Sequence, residues 1–321
     1  MNAISGIRGR RIRETPIAII DFETTGLSAG ADRVVEVSVV RVDPGDEPVL
    51  SFDTLVNPAR PMAATEIHGI TDDDVANAPR FTEIAGELVR TLQGCVIAAY
   101  NVYFDIKFLE YEMNNAGITR TPPHFCLMYM RPLLGIGSRC RLEEACRDLD
   151  VIYPANHVAS NDAMASGKLL LRYLDIAKQK GIRTFDDLTR TKSYKYFQSF
   201  DLAPLPGPAE FGLSGCTRLC SRSGLEKPVT IEPKRQGLQE YWDALRVAVA
   251  DLEITDDELD NMIHIRKEYN LKPEKVRSLH ARVFASVIAQ FCDDHELDDR
   301  ETHKLKRLHK CLSRLGWAPG E

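Results

Sequence analysis

Positive charge is scarce in this 321-residue chain: 41 lysines and arginines stand against 47 aspartates and glutamates, a net charge of −6. That excludes a protein that coats nucleic acid through bulk basicity, though not one that handles a polyanion through bound cations. Long apolar runs are missing too. No stretch approaches the ~18 residues a membrane span needs, so an integral membrane protein is not expected. The opening MNAISGIRGRRIRETP has arginines but no apolar segment behind them, which does not read as a secretory signal. Eight cysteines at irregular spacings make no disulfide framework and point to a reducing, cytoplasmic setting. Cys216 and Cys220 form a C-x₃-C pair, but no second pair at zinc-ligand spacing follows. What is present, 44% hydrophobic and 27% charged residues, is the mix of an ordinary globular protein of about two domains.

Four stretches differ in texture. Residues 1–15 carry Arg8, Arg10, Arg11 and Arg13 with little to pack, and are expected to form a flexible basic tail. Residues 16–190 alternate strand-like and helix-like segments. Pro16–Asp21, Arg33–Val42, Val49–Val56 and Cys95–Tyr100 have strand character, with Pro44-Gly45-Asp46 as a turn. Ala85, Leu88, Val89 and Leu92 recur at helical spacing, as do Phe104, Phe108, Leu109 and Met113, then Leu169, Leu170, Tyr173 and Leu174. This alternation implies an α/β layered domain. Residues 191–236 are rich in proline and glycine and are expected to be a linker or irregular region. Residues 237–321 show only helical periodicity, which predicts a small all-α domain. Within it, Asp251–Glu258 and Asp294–Glu301 share the pattern D-x-E-[IL]-x-D-x-E. Thr255 with Glu258, and Asp298 with Glu301, have the spacing of capping boxes. Neither copy has the turn glycine of a calcium-binding EF-hand loop. A weak metal or partner site through Asp251, Glu253, Asp294 and Glu296 is the alternative.

Three separated acidic motifs carry the chemistry. Asp21-Phe22-Glu23 ends the first strand, where side chains at i and i+2 share a face and two carboxylates can converge. Asn101-Val-Tyr-Phe-Asp105 follows the strand ending at Tyr100 and puts Asp105 in the first turn of a helix. His157-Val-Ala-Ser-Asn-Asp162 places a histidine in a loop and an acid at the start of another helix. Each alone also reads as a strand-end turn, a helix cap or a solvated loop. His68 reads as part of a local turn rather than as a catalytic group.

In that order the three motifs resemble the DEDDh, or DnaQ-like, exonucleases over roughly residues 16–175. Phe22–Leu27, Ile67–Ile70 leading into Ala78–Phe81, and Val102–Leu109 are similar to family stretches as well. The chain departs at Tyr100, where many members have histidine, and at Cys126-Leu127, where many have an Asp-Thr pair. The resemblance implies an RNase H-like mixed sheet flanked by helices. It further implies stepwise 3′→5′ hydrolysis of nucleic acid, DNA favoured over RNA, releasing nucleoside 5′-monophosphates. Asp21, Glu23, Asp105 and Asp162 would bind two Mg²⁺ or Mn²⁺ ions, a set of hard oxygen donors suited to those metals. His157 would be the general base, its ordinary pKa lying near neutrality. Thr24, Thr25 and Leu27 would sit beside the terminal nucleotide, with Phe104 lining the pocket. The substrate expected is single-stranded or 3′-ended nucleic acid, with a protein partner for the helical module, which itself resembles TerB-like domains. A catalytically silent adaptor built on the nuclease fold is the competing reading.

Overall fold

A computed structural model of the chain describes residues 6–154, 158–213, 219–221, 233–249, 254–291 and 299–317. Five strands, β1 (Ile17–Thr24), β2 (Val34–Val42), β3 (Val49–Leu55), β4 (Val96–Ala99) and β5 (His124–Cys126), form one sheet in the order 3-2-1-4-5. The helices in chain order are α1 (Thr65–His68), α2 (Asp72–Val75), α3 (Phe81–Leu92), α4 (Val102–Asn115), α5 (Leu127–Leu134) and α6 (Leu142–Asp148). Then come α7 (Ala159–Gln179), α8 (Phe185–Thr191), α9 (Pro233–Val249), α10 (Asp256–Glu268), α11 (Pro273–Phe291) and α12 (Asp299–Arg314).

The chain divides into two compact units: Met1–Glu23, Val34–Arg60 and Asp73–Glu226 form one, and Thr24–Arg33, Pro61–Asp72 and Lys227–Glu321 the other. In the first, Ile17–Ile20 of β1 and the whole of β4 are unbroken apolar runs because strand segments covered on both faces have no polar side to alternate with. β1 pairs parallel with β4, and β4 with β5, while β2 and β3 pair antiparallel around the Pro44-Gly45 turn. Gly45 takes φ +90° there, a conformation that a side chain would strain. The buried Phe81, Ile84, Leu88 and Leu92 of α3, and Leu169, Leu170 and Tyr173 of α7, supply the helical layers of the core. This is the RNase H-like mixed sheet flanked by helices that the sequence predicts.

The expected flexible N-terminal tail is corrected for its described part. Ile7 and Ile12 are buried, the Ile7 amide donates to the Phe200 carbonyl, and the Ile12 amide to Arg183. The arginines face partners rather than solvent alone: Arg8 pairs with Asp201, and Arg13 with Asp175. Two well-spaced isoleucines suffice to dock a segment whose composition is otherwise that of a tail. Residues 191–213 are likewise not a bare linker. Tyr196, Phe197, Phe200 and Leu205 are buried, and the Ser199 hydroxyl bonds the amide and carbonyl of His124 on β5.

The second unit is built mainly of α9–α12. Its core gathers Tyr241, Leu245, Met262, Leu279, Leu308 and Leu312. The Thr255–Glu258 capping box forms as predicted, the Glu258 amide donating to Thr255 Oγ1 at 3.2 Å. Asp251, Glu253, Asp294, Glu296 and Asp298 lie outside the described residues, and with them the second acidic start and the alternative metal site. Two segments distant in sequence join this unit. Ala64 and Ile67 enter its core, Leu27 packs against it, and Glu66 forms an ion pair with Lys275 at 2.9 Å. Gln239 donates its side-chain amide to the Ile67 carbonyl.

Candidate active site

The candidate site begins at the C-terminal end of β1. Burial alternates there as strand geometry requires: Asp21 and Glu23 are half-buried, while Phe22 between them turns into the core at 1% exposure. Both carboxylates therefore leave the strand on one face. Asp105, in the first turn of α4, is 2% exposed, and its Oδ1 accepts a hydrogen bond from the Phe22 amide at 3.1 Å. The helix carboxylate is thus tied to the backbone between the two strand carboxylates, 83 residues away in sequence.

Asp162 occupies the corresponding first turn of α7 and is half-buried. Its charge is close enough to Cys146 on α6 to reinforce burial in pushing that thiol up to about 12. His157 lies outside the described residues, as do Ala155 and Asn156. Among the described residues, no three His, Cys, Asp or Glu side chains gather closely enough to hold a metal ion. The donor set fits a hard divalent ion: it offers carboxylate oxygen only. The Cys126 thiol, within electrostatic reach of Asp105, is pushed up to about 11 chiefly by burial and is protonated at neutral pH.

The loop after Glu23 is closed by its own side chains. Thr24 Oγ1 donates to the Gly26 carbonyl, and Thr25 Oγ1 donates to Asp32 at 3.1 Å while accepting from the Arg33 amide. Asp32, 6% exposed, also takes the Ser28 amide at 3.1 Å. A Cβ on Gly26 would strike the Asp32 carboxylate, so the glycine is needed for room. Asp32 is the residue that sequence reading missed. Its signal was an acid following a T-T-G turn by several residues, which spacing alone cannot distinguish from a solvated loop acid. Phe104 is half-buried, with its ring 4.9 Å from Phe108. His68 accepts the Ile70 amide at 3.0 Å, the local turn expected of it.

The two departures from the family pattern have structural partners. The Tyr100 hydroxyl donates to the Cys140 carbonyl at 2.7 Å, and burial raises its pKa well above the usual value. Cys126, at the start of α5, directs its thiol to the Tyr100 carbonyl. Cys220 lies beside β3, its amide donating to Thr54 Oγ1 at 3.0 Å, whereas Cys216 is outside the described residues.

A mixed sheet of order 3-2-1-4-5 flanked by helices, with a carboxylate pair at the end of its first strand and a helix carboxylate bonded to the backbone between them, has the RNase H-like fold. Residues 18–170 match the RNase_T family, described as Exonuclease. This part of the chain resembles the DnaQ-like exonucleases, a family generally dependent on divalent metal. Among curated proteins the chain is similar to DNA polymerase III PolC-type of Bacillus cereus, 30% identical over 250 residues, 75% of this chain and 17% of that one. It is 33% identical over 186 residues to a DNA polymerase III subunit epsilon-like protein of Rhodobacter capsulatus, covering 54% of this chain and 26% of that protein. The chain thus spans only about a sixth to a quarter of the length of these relatives. A solved structure of exonuclease X in complex with 5′ overhanging duplex DNA aligns with a TM-score of 0.42 and 25% identity, over 55% of this chain and 99% of that one. Among the described residues, no helix is long and apolar enough to cross a membrane.

Proposed function

We propose that this chain is a 3′–5′ exonuclease that hydrolyses phosphodiester bonds of single-stranded or 3′-ended nucleic acid, DNA in preference to RNA, in the cytoplasm. The observation that carries this reading is the Asp105 carboxylate held on the Phe22 amide between Asp21 and Glu23. The preference for DNA draws on relatives named as DNA polymerase III.

Asp21, Glu23, Asp105 and Asp162 would hold two Mg²⁺ or Mn²⁺ ions, which when bound neutralise phosphate charge and make water more acidic. Asp21 and Glu23 contribute from one face of β1, and the Phe22 amide keeps Asp105 from turning away. His157 would take the proton of the attacking water. The water oxygen then bonds to phosphorus, the P–O3′ bond breaks, the 3′ oxygen gains a proton, and a nucleoside 5′-monophosphate departs. By the same resemblance Thr24, Thr25 and Leu27 would sit beside the terminal nucleotide, and Phe104 would line the pocket.

Digestion of 5′-labelled single-stranded DNA and RNA tests the proposal, with Mg²⁺ or Mn²⁺, with EDTA, and beside Asp21→Ala. The expected result is a metal-dependent ladder shortening from the 3′ end and absent in the folded variant. Wild-type turnover by Asp21→Ala would remove the metal assignment. Absence of cleavage by the wild type under every metal would favour the silent adaptor.

A further inference from the structure

An enzyme that shortens a strand from its end must also hold the nucleotides behind the one it removes, and carboxylates repel them. Ile19, Ala98 and Phe125 stand in register across β1, β4 and β5. Asp21 follows two residues beyond that row on β1, and Tyr129 four residues beyond it, just after β5. Adjacent strands lie ~4.8 Å apart, so the line of β5 runs about 10 Å from that of β1.

Four tyrosines meet beyond the end of β5. The rings of Tyr103 and Tyr129 are 5.7 Å apart and perpendicular, and those of Tyr129 and Tyr194 are 4.7 Å apart. Tyr194 and Tyr196 are near parallel, at 12° and 5.7 Å. Tyr129 and Tyr196 are buried, whereas Tyr103 and Tyr194 are half-buried. Two cations face the rings: the Arg139 guanidinium lies 5.3 Å from the centroid of Tyr129, and Lys192 Nζ 5.8 Å from that of Tyr194. Arg139 also donates to the Tyr129 hydroxyl at 2.8 Å.

Packing alone accounts for the neighbouring Phe125, Phe185, Phe197 and Phe200, which continue the dry core. It does not account for four hydroxyl-bearing rings, two of them with a cation at the face, one of those cations an exposed lysine at the rim. Phosphates are met by cations and bases by aromatic faces, and this is the combination that single-strand binding proteins use.

We propose that Tyr103 and Tyr194, on a floor of Tyr129 and Tyr196 and flanked by Arg139 and Lys192, form a stacking subsite for a base of single-stranded nucleic acid upstream of the terminal nucleotide. The subsite rests on the exonuclease reading for its place along the strand, but not for its chemistry.

The test uses the full chain and oligothymidylates of two to ten nucleotides. Binding is read by fluorescence anisotropy in EDTA, where no cleavage occurs, and steady-state hydrolysis is read in Mg²⁺ or Mn²⁺. Loss of one base–aromatic stack weakens binding by about 5- to 150-fold. Tyr194→Ala should raise Kd and KM within that range with kcat changed less than about twofold on that same scale, and Tyr194→Phe should restore both. The loss should fall on longer oligonucleotides and spare dinucleotides, which do not reach the subsite. Lys192→Glu, an exposed change that does not threaten folding, should weaken binding and lower the slope of log Kd against log salt by about 1. Unchanged Kd in both Tyr194→Ala and Lys192→Glu would overturn the proposal. A wild type that binds through Tyr194 but never cleaves would instead overturn the exonuclease reading and leave the subsite standing.

Discussion

His280 gives the helical unit a pH dependence that can be worked out from its surroundings. It is 1% exposed on α11, and its Nε2 shares a 2.7 Å hydrogen bond with the Tyr241 hydroxyl of α9. Burial, and then the positive charge of Arg266, lower its pKa from 6.5 to about 4. The folded unit therefore keeps the imidazole neutral, while the unfolded chain takes up a proton as pH falls below 6.5. Stability is at its full value above that pH and is lost as pH falls towards 4, because the unfolded state binds more protons in between. The full interval corresponds to about 3 kcal/mol, of which about 2 kcal/mol is already gone at pH 5. The chain has two tryptophans, Trp242 and Trp317, and both are buried in this unit's core. Intrinsic tryptophan emission during urea unfolding thus reports on the helical unit, without signal from the nuclease sheet. His280→Gln retains a hydrogen-bonding side chain but cannot titrate. Between pH 7 and 5 the wild type should lose about 2 kcal/mol more than the variant. Equal losses in the two proteins would refute the argument.

Two further outcomes follow from the nuclease unit. His157→Ala should reduce turnover by about 10²- to 10⁴-fold while leaving metal affinity nearly unchanged, as measured by single-turnover hydrolysis and metal titration; an undiminished rate would take His157 out of the mechanism. Ile12→Ala should cost about 2–4 kcal/mol in unfolding monitored by far-ultraviolet circular dichroism, because Ile12 is 2% exposed. A truly flexible tail would show no change.

The placement of part of the candidate site is legible in the sequence because it follows from local geometry. Asp21 and Glu23 share a face by the two-residue period of a strand, and Asp105 falls in the first turn of α4 by the period of a helix. The order of the three acidic motifs pointed to the family before any contact was known. Tyr194 and Tyr196, by contrast, sit in a stretch whose prolines and glycines dominate its pattern. Nothing local shows that they meet Tyr103 and Tyr129 from 65 or more residues away. β5 was missed for a related reason: three residues, His124–Cys126, are too few to display a period.

By itself the amino-acid sequence determined the α/β character of residues 16–190, the helical character of the C-terminal part, and the positions of the acidic residues, since each follows from apolar spacing along a single element. Only the tertiary structure decided that Ile7 and Ile12 dock the N-terminal segment, that Asp32 closes the loop behind Glu23, and that Leu27 and Ile67 pack with the C-terminal helices rather than with the sheet unit. Those outcomes depend on which surfaces far apart in the chain bury each other. Burial is non-directional and leaves no periodic trace in either partner.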